Sequence, residues 1–330
     1  DRFVREERLD ALHVHDLPLV RTGLAVAADH DLPVVADLHE NYPEAARQWR
    51  TGMAFPRRTI QRGFTPIPRL KRLERAGVRG ADRVLATTEE GKRHYVEDCG
   101  VPPGKVVVVS NTVDLSAFDT DAAPVTGYEG EFVLTYVGSF GPHRGLETAI
   151  DAMPELVDRV PNARLLVVGS AGEAVYDRRL RERSAATGVG DHITFTGWVD
   201  FEEVPSYIAA SDACFVLHRE NPHTATTVPH KLFQYMAMGK PVLVTDVGPL
   251  GRIVRESGCG RVVEDGDSAG VARAAAELAD GDIARTLGGN GRAAVERTYN
   301  WTRETDAIRG VYADLASDDD GGRPAQSARH

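Results

Sequence analysis

The sequence predicts a doubly wound α/β protein of two domains, and three observations lead to this prediction. Short runs rich in Val, Ile and Leu alternate with amphipathic segments along nearly the whole chain. Such apolar runs are typical of parallel strands that are buried on both faces. The chain has 330 residues, which is long for one hydrophobic core, and the alternation is interrupted once.

Four apolar runs precede this interruption and six follow it. The predicted strands are 11–15, 33–38, 83–87, 105–110, 132–138, 164–169, 192–196, 213–217, 241–245 and 260–263. The amphipathic segments between them predict helices, with clear patterns at 146–160, 175–187, 231–238 and 268–279. Strand and helix therefore alternate in both halves, as a parallel sheet with crossover helices requires.

The interruption at 119–131 is rich in Ala, Pro, Gly and Asp, and we interpret it as a linker. It separates a first domain, 1–118, from a second domain, 132–298. A helix at 299–316 follows, and we expect it to cross back to the first domain. The polar tail 317–330 is predicted to be disordered.

The first domain is expected to lack its opening strands. A doubly wound domain normally begins with a strand and a glycine-rich turn. Here only a helical segment at 2–9 precedes the first predicted strand. One wall of a ligand cleft would then be incomplete, so we expect the chain as it stands to bind a ligand better than it performs chemistry on it.

Composition excludes several classes of function. The formal charge of −10 weighs against general nucleic-acid binding, which needs a basic face. Three widely spaced cysteines without a CxxC pair predict free thiols in a reducing compartment. No apolar run reaches the roughly 18 residues of a membrane-spanning helix. These features predict a cytoplasmic protein.

The turn after the first strand of the second domain carries a candidate phosphate-binding group. Gly138 and Gly145 flank Arg144 at the start of a predicted helix. Backbone N–H groups at a helix start, together with a guanidinium fork, suit a pyrophosphate. A glycine turn with a solvated arginine would give the same pattern, so this turn alone does not decide the function.

A second candidate lies in the segment 224–242. Pro229 suits the first turn of a helix, and Thr226 or Thr227 suits its N-cap. Lys231 and Gln234 are three residues apart and share a face near the helix start, where the helix dipole favours an anion. A solvated helix lysine is the alternative interpretation of Lys231.

Taken together, these motifs resemble those of the retaining group 1 glycosyltransferases, family 4 in the sequence classification. The resemblance implies the GT-B fold, in which two Rossmann-like domains face each other across a cleft and the second binds a nucleotide-sugar donor. It runs through nearly the whole chain. The matching segments are 35–40 (VADLHE), 110–114 (SNTVD), 138–145, 196–199 (TGWV), and 226–234 followed by 237–242 (AMGKPV).

The chain departs from the family pattern at three positions. Thr226 and Gln234 replace the two glutamates of the E-x7-E motif, and Ser139 replaces the arginine of the first turn. The second glutamate holds the ribose hydroxyls in the family, and glutamine can still donate and accept hydrogen bonds there. The first glutamate contacts the donor sugar, and Thr226 offers only a hydroxyl.

The resemblance also implies site residues. Arg144 and Lys231 would neutralise the leaving diphosphate, and His39 would face the donor sugar, although a structural histidine is the alternative. His13 and His15 are interpreted as structural. No metal is expected, because the resemblance implies a reaction that needs none and the sequence offers no convincing metal site. No cofactor is expected, because the nucleotide-sugar is itself a substrate. The implied donor-binding residues are Gly138, Ser139, Gly145, Trp198, Val199, Thr226, Thr227, Val228 and Gln234.

A basic stretch at 47–75 stands out in this acidic chain. Apolar side chains are interleaved with its arginines and lysine, and Glu74 is its single acid. We expect it to bind an anionic membrane surface or a polyprenyl-phosphate-linked acceptor, which would make the protein peripheral to the inner face of the membrane. A solvated loop is the alternative. The basic residues are Arg47, Arg50, Arg57, Arg58, Arg62, Arg69, Lys71, Arg72 and Arg75.

A different class of function remains open at this point, namely a catalytically inactive GT-B subunit that binds a partner enzyme. The replaced glutamates and the incomplete first domain favour it. The presence of Arg144, Lys231 and His39 favours an active glycosyltransferase that transfers sugar from a nucleotide-sugar donor to a glycan or lipid-linked acceptor. Turnover of a nucleotide-sugar distinguishes the two.

Overall fold

The computed structural model describes residues 2–7, 9–51, 65–172 and 174–320 of the chain. This part of the chain contains two parallel sheets, one of four strands and one of six. Every strand predicted from the sequence is present, with ends no more than two residues from the predicted ones. The prediction of two doubly wound α/β domains is confirmed.

The first domain is a four-stranded sheet with helices packed on it. The strands lie side by side in chain order, and Val35 and Ala36, on opposite faces of the sheet, are both fully buried. The strands are β1 (Leu12–His15), β2 (Val34–Leu38), β3 (Arg83–Ala86) and β4 (Val106–Val108). The helices are α1 (Arg2–Glu7), α2 (Leu17–His30), α3 (Tyr42–Thr51), α4 (Ile67–Gly80) and α5 (Glu89–Glu97).

The second domain is a six-stranded sheet in the order β10-β9-β8-β5-β6-β7. Its strands are β5 (Phe132–Val137), β6 (Ala163–Val168), β7 (Ile193–Gly197), β8 (Ala213–Val216), β9 (Val242–Thr245) and β10 (Gly260–Val263). The helices between and after them are α6 (Leu146–Arg159), α7 (Ala174–Ala186), α8 (Val204–Ala209), α9 (Lys231–Ala237), α10 (Pro249–Ser257), α11 (Ser268–Leu278) and α12 (Gly281–Arg297). The strand order reverses between β5 and β8, which is where sheets of this kind open a crevice for a ligand.

The last helix of the described chain, α13 (Trp301–Asp320), returns to the first domain. Its residues Val311 and Leu315 are buried against Val35 and Leu85 of the first sheet. The Ser110 backbone N–H donates to the Glu304 carboxylate over 2.8 Å. This helix therefore covers one face of the first sheet.

The disordered tail was predicted to begin at residue 317, which is too early in the chain. Helix α13 continues through Asp320, because each added residue of an existing helix gains a backbone hydrogen bond without a new nucleation step. Residues 321–330 lie outside the described residues. No helix within the described ranges is both long and apolar enough to cross a bilayer.

The chain between β4 and β5, which includes the predicted linker, has neither a helix nor a strand. A single bridge joins Val113 to Asn300, and the Trp301 N–H donates to the Val113 carbonyl over 3.0 Å. The two chain segments that pass between the domains are thus bonded to each other.

The basic stretch at 47–75 is only partly described, because residues 52–64 lie outside the described residues. In the described part, Glu44 of α3 forms ion pairs with two basic residues of this stretch. Lys71 Nζ lies 2.7 Å from Glu44 Oε1, and Arg47 Nε lies 3.1 Å from Glu44 Oε2. Arg50 is buried and donates to the Thr65 carbonyl over 2.6 Å. The described part of this stretch is therefore less basic than its number of arginines and lysines implies. Binding to a membrane stays a prediction.

Candidate active site

A cleft with a cavity of about 580 Å³ lies between the two sheets. It is lined by residues that follow strands of both domains, which is where a ligand is expected in paired α/β domains. Ten of the twelve site residues named from the sequence line it. These are His39, Gly138, Ser139, Arg144, Trp198, Val199, Thr227, Val228, Lys231 and Gln234.

The turn after β5 brings the backbone close to Lys231. Gly138 has φ of 128°, and a Cβ at this position would lie 2.7 Å from Lys231 Nζ. The ammonium group sits 3.6 Å from the centroid of the Tyr136 ring, a cation–π contact. Burial, followed by the nearby charge of Arg144, lowers the pKa of Lys231 well below its usual range. The ring face stabilises the charged form and offsets part of this effect.

Arg144 ends a short 3-10 turn, Pro142–Arg144, and reaches the point where the strand order reverses. Its Nη1 donates to Nε2 of His218, which follows β8, over 3.0 Å. A guanidinium has only donors, so this bond requires His218 to be neutral, with its proton on Nδ1. Burial, followed by the charge of Arg144, holds the pKa of His218 well below its usual range.

Two further histidines stand beside Arg144. Burial and the charge of Arg144 lower the pKa of His143 to about 3 and that of His223 to about 4, so both are neutral at pH 7. Within the described ranges, neither Arg144 nor Lys231 is paired with a carboxylate within 4.0 Å. This wall of the cleft therefore presents two cations without a counter-ion.

Gly145 does not line the cavity, although the sequence assigned it to the donor site. It has φ of 71°, and a Cβ there would lie 1.8 Å from the Leu217 carbonyl oxygen. Only glycine allows the turn to pass this close to the end of β8. Its contribution is to hold Arg144 in place through backbone packing.

Helix α9 begins at Lys231, as the amphipathic pattern at 231–238 predicted, but its N-cap is not the one expected. His230 is its N-cap, whereas Thr226 or Thr227 was expected to cap it. Both threonine hydroxyls bond back to the His223 carbonyl, at 3.1 Å in each case, so they belong to the preceding turn. Thr226 also lies outside the main cavity and lines a small neighbouring one.

The first domain contributes an acidic and histidine-rich wall that the sequence analysis only partly identified. His39 Nδ1 lies 3.1 Å from Asp16 Oδ1, and its Nε2 lies 3.5 Å from Asp37 Oδ2. Two carboxylates thus orient the imidazole. Asp16 and Glu40 line the cavity beside it and were missed. The signal that could have found Asp16 is its position after β1, which matches that of His39 after β2.

Glu40 has a raised pKa because it is buried beside another carboxylate. Burial, followed by the charge of Asp16, raises its pKa from 4.5 to about 7. Its Oε2 lies 3.9 Å from His223 Nε2 on the opposite wall. A carboxyl group with this pKa can give or take a proton near neutral pH, and it faces the second domain across the cleft.

Glu40→Gln is expected to make stability less dependent on pH. Because the pKa of Glu40 is raised in the folded state, its contribution to the free energy of unfolding is largest below pH 4.5. This contribution is lost as the pH rises to about 7. Glutamine cannot ionise, so the variant should be more stable than the parent at pH 8 by about 1–3 kcal/mol and similar at pH 4.5. Thermal unfolding at both pH values measures this, with the exposed Glu256→Gln as control. A difference between variant and parent that does not change with pH contradicts it.

Two further contacts join the domains beside the cleft. Arg252 of α10 forms a two-bond fork with Glu90 of α5, with N···O distances of 2.8 and 3.0 Å. The Thr88 hydroxyl donates to the Thr226 carbonyl over 2.7 Å. We refer to these four residues as the interdomain clasp.

Two parallel-sheet domains with a phosphate-compatible cleft between them define a GT-B protein. Solved structures of other proteins have the same fold. Sucrose-phosphate synthase from Thermosynechococcus elongatus superposes with a TM-score of 0.76 at 23% identity, covering 96% of this chain and 76% of that one. Anabaena HepE in complex with UDP gives a TM-score of 0.71 at 18% identity, covering 96% and 80%. At these identities the likeness shows the fold.

Family profiles match both domains. The profile described as glycosyltransferase family 4 matches residues 1–117, and that described as glycosyl transferases group 1 matches residues 131–281. The chain belongs to this family of glycosyltransferases.

Characterised relatives are similar over much of the chain. The phosphatidyl-myo-inositol mannosyltransferase of Mycolicibacterium smegmatis is 25% identical over 316 residues, which is 94% of this chain and 72% of the relative. The GDP-mannose-dependent alpha-(1-6)-phosphatidylinositol monomannoside mannosyltransferase of Mycobacterium tuberculosis is 31% identical over 186 residues, 55% of this chain and 46% of the relative. Across the first three relatives, the chain spans 47% to 72% of their length.

Proposed function

We propose that this chain is a retaining glycosyltransferase that moves a sugar from a UDP- or GDP-sugar to a glycan or lipid-linked acceptor. The observation that carries the proposal is the pair of cations on one wall of the cleft. Arg144 and Lys231 lack carboxylate partners in the described part of the chain, and a diphosphate would supply the missing negative charge.

The geometry suits a reaction in which the leaving group becomes more negative. As the bond between the anomeric carbon and the diphosphate oxygen breaks, charge builds on the phosphates, and Arg144 and Lys231 stabilise it. The acceptor hydroxyl attacks the same face of the sugar and gives its proton to the departing phosphate oxygen, which retains the configuration. His39, oriented by Asp16 and Asp37, faces the sugar from the opposite wall.

The remaining lining residues suit the nucleoside. Gln234 is almost fully buried at the cleft, where its amide can hydrogen-bond the ribose hydroxyls. Trp198 is 73% exposed beside Val199, so its indole ring is free to lie against a base. We propose that the protein needs no metal or cofactor for this reaction, because side-chain cations occupy the phosphate wall.

The proposed acceptor and location are supported by the relatives and by the basic stretch 47–75. The relatives named above act on phosphatidylinositol derivatives, which favours a lipid-linked acceptor. The basic residues of the stretch 47–75 fit an anionic membrane surface or a polyprenyl phosphate. Action in the cytoplasm, at the inner face of the membrane, stays a prediction.

Donor hydrolysis tests the proposed function directly. The chain is incubated with UDP-, GDP- and ADP-sugars, and release of the nucleoside diphosphate is measured together with the anomeric configuration of the product. We expect one nucleotide to be preferred and the configuration to be retained. Nucleotide binding without turnover of any donor, even with acceptors added, would instead support the inactive GT-B subunit that binds a partner enzyme.

A further inference from the structure

Two histidines and an aspartate converge at the carboxyl end of the first sheet, outside the residues that line the donor cleft. His13 and His15 are two positions apart on β1, so their side chains point to the same face. In the parallel register, His15 lies opposite Asp37 of β2. The three side chains therefore meet because of the strand pairing, and not through an irregular loop.

Both imidazoles approach the same carboxylate oxygen. His13 Nε2 lies 3.2 Å from Asp37 Oδ2, and His15 Nδ1 lies 3.1 Å from it. One ring nitrogen of each histidine and one carboxylate oxygen of Asp37 all lie within 4.8 Å of one another. The ligand atoms of a tetrahedral zinc site with bonds of about 2.0–2.1 Å are about 3.3 Å apart, which is close to the two distances observed here.

The cluster also has the outer contacts typical of a metal site. The other ring nitrogen of His13, Nδ1, lies 2.7 Å from the Tyr312 hydroxyl of α13. Such a bond fixes the orientation of a ligating imidazole and leaves its second nitrogen free for a metal. His15 is 62% exposed, whereas Asp37 is 13% exposed, so an ion can enter from solvent and meet a largely buried carboxylate.

We propose that His13, His15 and Asp37 form a binding site for one zinc-like divalent cation, with Tyr312 orienting His13 from outside. Two imidazoles and a carboxylate give three ligands and leave a fourth position for water or a substrate oxygen. These three residues do not line the cleft that holds Arg144 and Lys231, and Asp37 Oδ2 also lies 3.5 Å from Nε2 of the cleft residue His39. The test below measures binding of the ion and does not require the proposed glycosyltransferase activity.

Titration of the metal-free full chain, prepared without a polyhistidine tag, tests the proposal. With Zn²⁺, calorimetry should show one saturable site per chain. With Co²⁺, the visible spectrum should show bands of a tetrahedral site with no thiolate charge-transfer band. His15→Ala should weaken Zn²⁺ binding by about 100-fold or more, and Tyr312→Phe by about 10-fold. Because the His15 side chain is exposed, its removal leaves the core intact.

Two further variants test whether the ion binds at this cluster and not elsewhere. Asp37→Asn preserves the shape of the side chain, and it should also weaken Zn²⁺ binding by about 100-fold or more. Cys99→Ser serves as the matched control, because Glu74, His94 and Cys99 form the other group of potential ligands within the described ranges. It should leave binding unchanged. Absence of saturable Zn²⁺ binding, binding that survives both His15→Ala and Asp37→Asn, or loss of binding in Cys99→Ser would overturn the proposal.

Discussion

Arg144→Ala should lower turnover of a nucleotide-sugar by about 10²–10³-fold, which is the usual effect of removing one preorganised group that stabilises transition-state charge. The guanidinium lies in the cleft without a carboxylate partner in the described chain, and its hydrogen bond is to the neutral His218. Affinity for UDP or GDP should fall as well. The melting temperature should change by a few degrees at most, because the side chain is not part of the hydrophobic core.

The control for Arg144 is Arg285→Ala, which removes the same charge from an exposed position on α12. The Arg285 side chain is 77% exposed and, among the residues that the structure describes, forms an ion pair only with Asp282 of the same helix. Its loss should leave both binding and turnover unchanged. Calorimetry that finds unaltered affinity of Arg144→Ala for UDP and GDP would remove Arg144 from the site.

Lys231→Met should have a comparable effect on turnover, about 10²–10³-fold, without loss of thermal stability at neutral pH. Burial and the charge of Arg144 hold the pKa of Lys231 well below its usual range. The lysine therefore costs stability as pH falls below its unfolded pKa of about 10.4, and methionine removes this cost while filling a similar volume. Any gain in melting temperature should shrink as pH rises towards 10.

Binding of a diphosphate should also raise the pKa of Lys231, because an anion favours the ammonium form. The parent protein is then expected to take up protons when it binds UDP or GDP at a pH between the pKa of Lys231 in the free protein and its raised pKa in the complex. Calorimetry in buffers of different ionisation enthalpy measures this uptake, which should be reduced in Lys231→Met. Equal proton uptake by the parent and the variant would contradict the assignment of Lys231 to the phosphate wall.

The fold could be predicted almost completely from the sequence. The physical reason is that buried parallel strands appear in a sequence as short, mostly apolar runs. Runs such as 132–138 and 164–169 are mostly apolar, because both faces of a central strand are covered. The turn that contains Gly138 and Gly145 could also be predicted from the sequence. Few residues can replace glycine where the backbone passes this close to its neighbours.

The rest of the site depends on contacts between residues distant in sequence, and such contacts leave no local pattern. Glu40 takes its raised pKa from burial and from Asp16, which precedes it by more than 20 residues. Glu44 offsets charges of a basic stretch that it precedes. The N-cap of α9 was assigned wrongly because both threonine hydroxyls donate to a carbonyl of the preceding turn, which depends on the backbone conformation there.

The interdomain clasp has a consequence for the timing of the catalytic cycle. Glu90 and Arg252 lie on different domains, as do Thr88 and Thr226, so widening the cleft breaks the charged fork and the hydroxyl bond together. If release of a spent nucleotide needs this widening, both contacts must open before it leaves. Dissolved ions weaken the fork by screening, so raised salt should hasten release. Where this opening is slower than bond cleavage, the clasp and not the chemistry sets the number of turnovers per second.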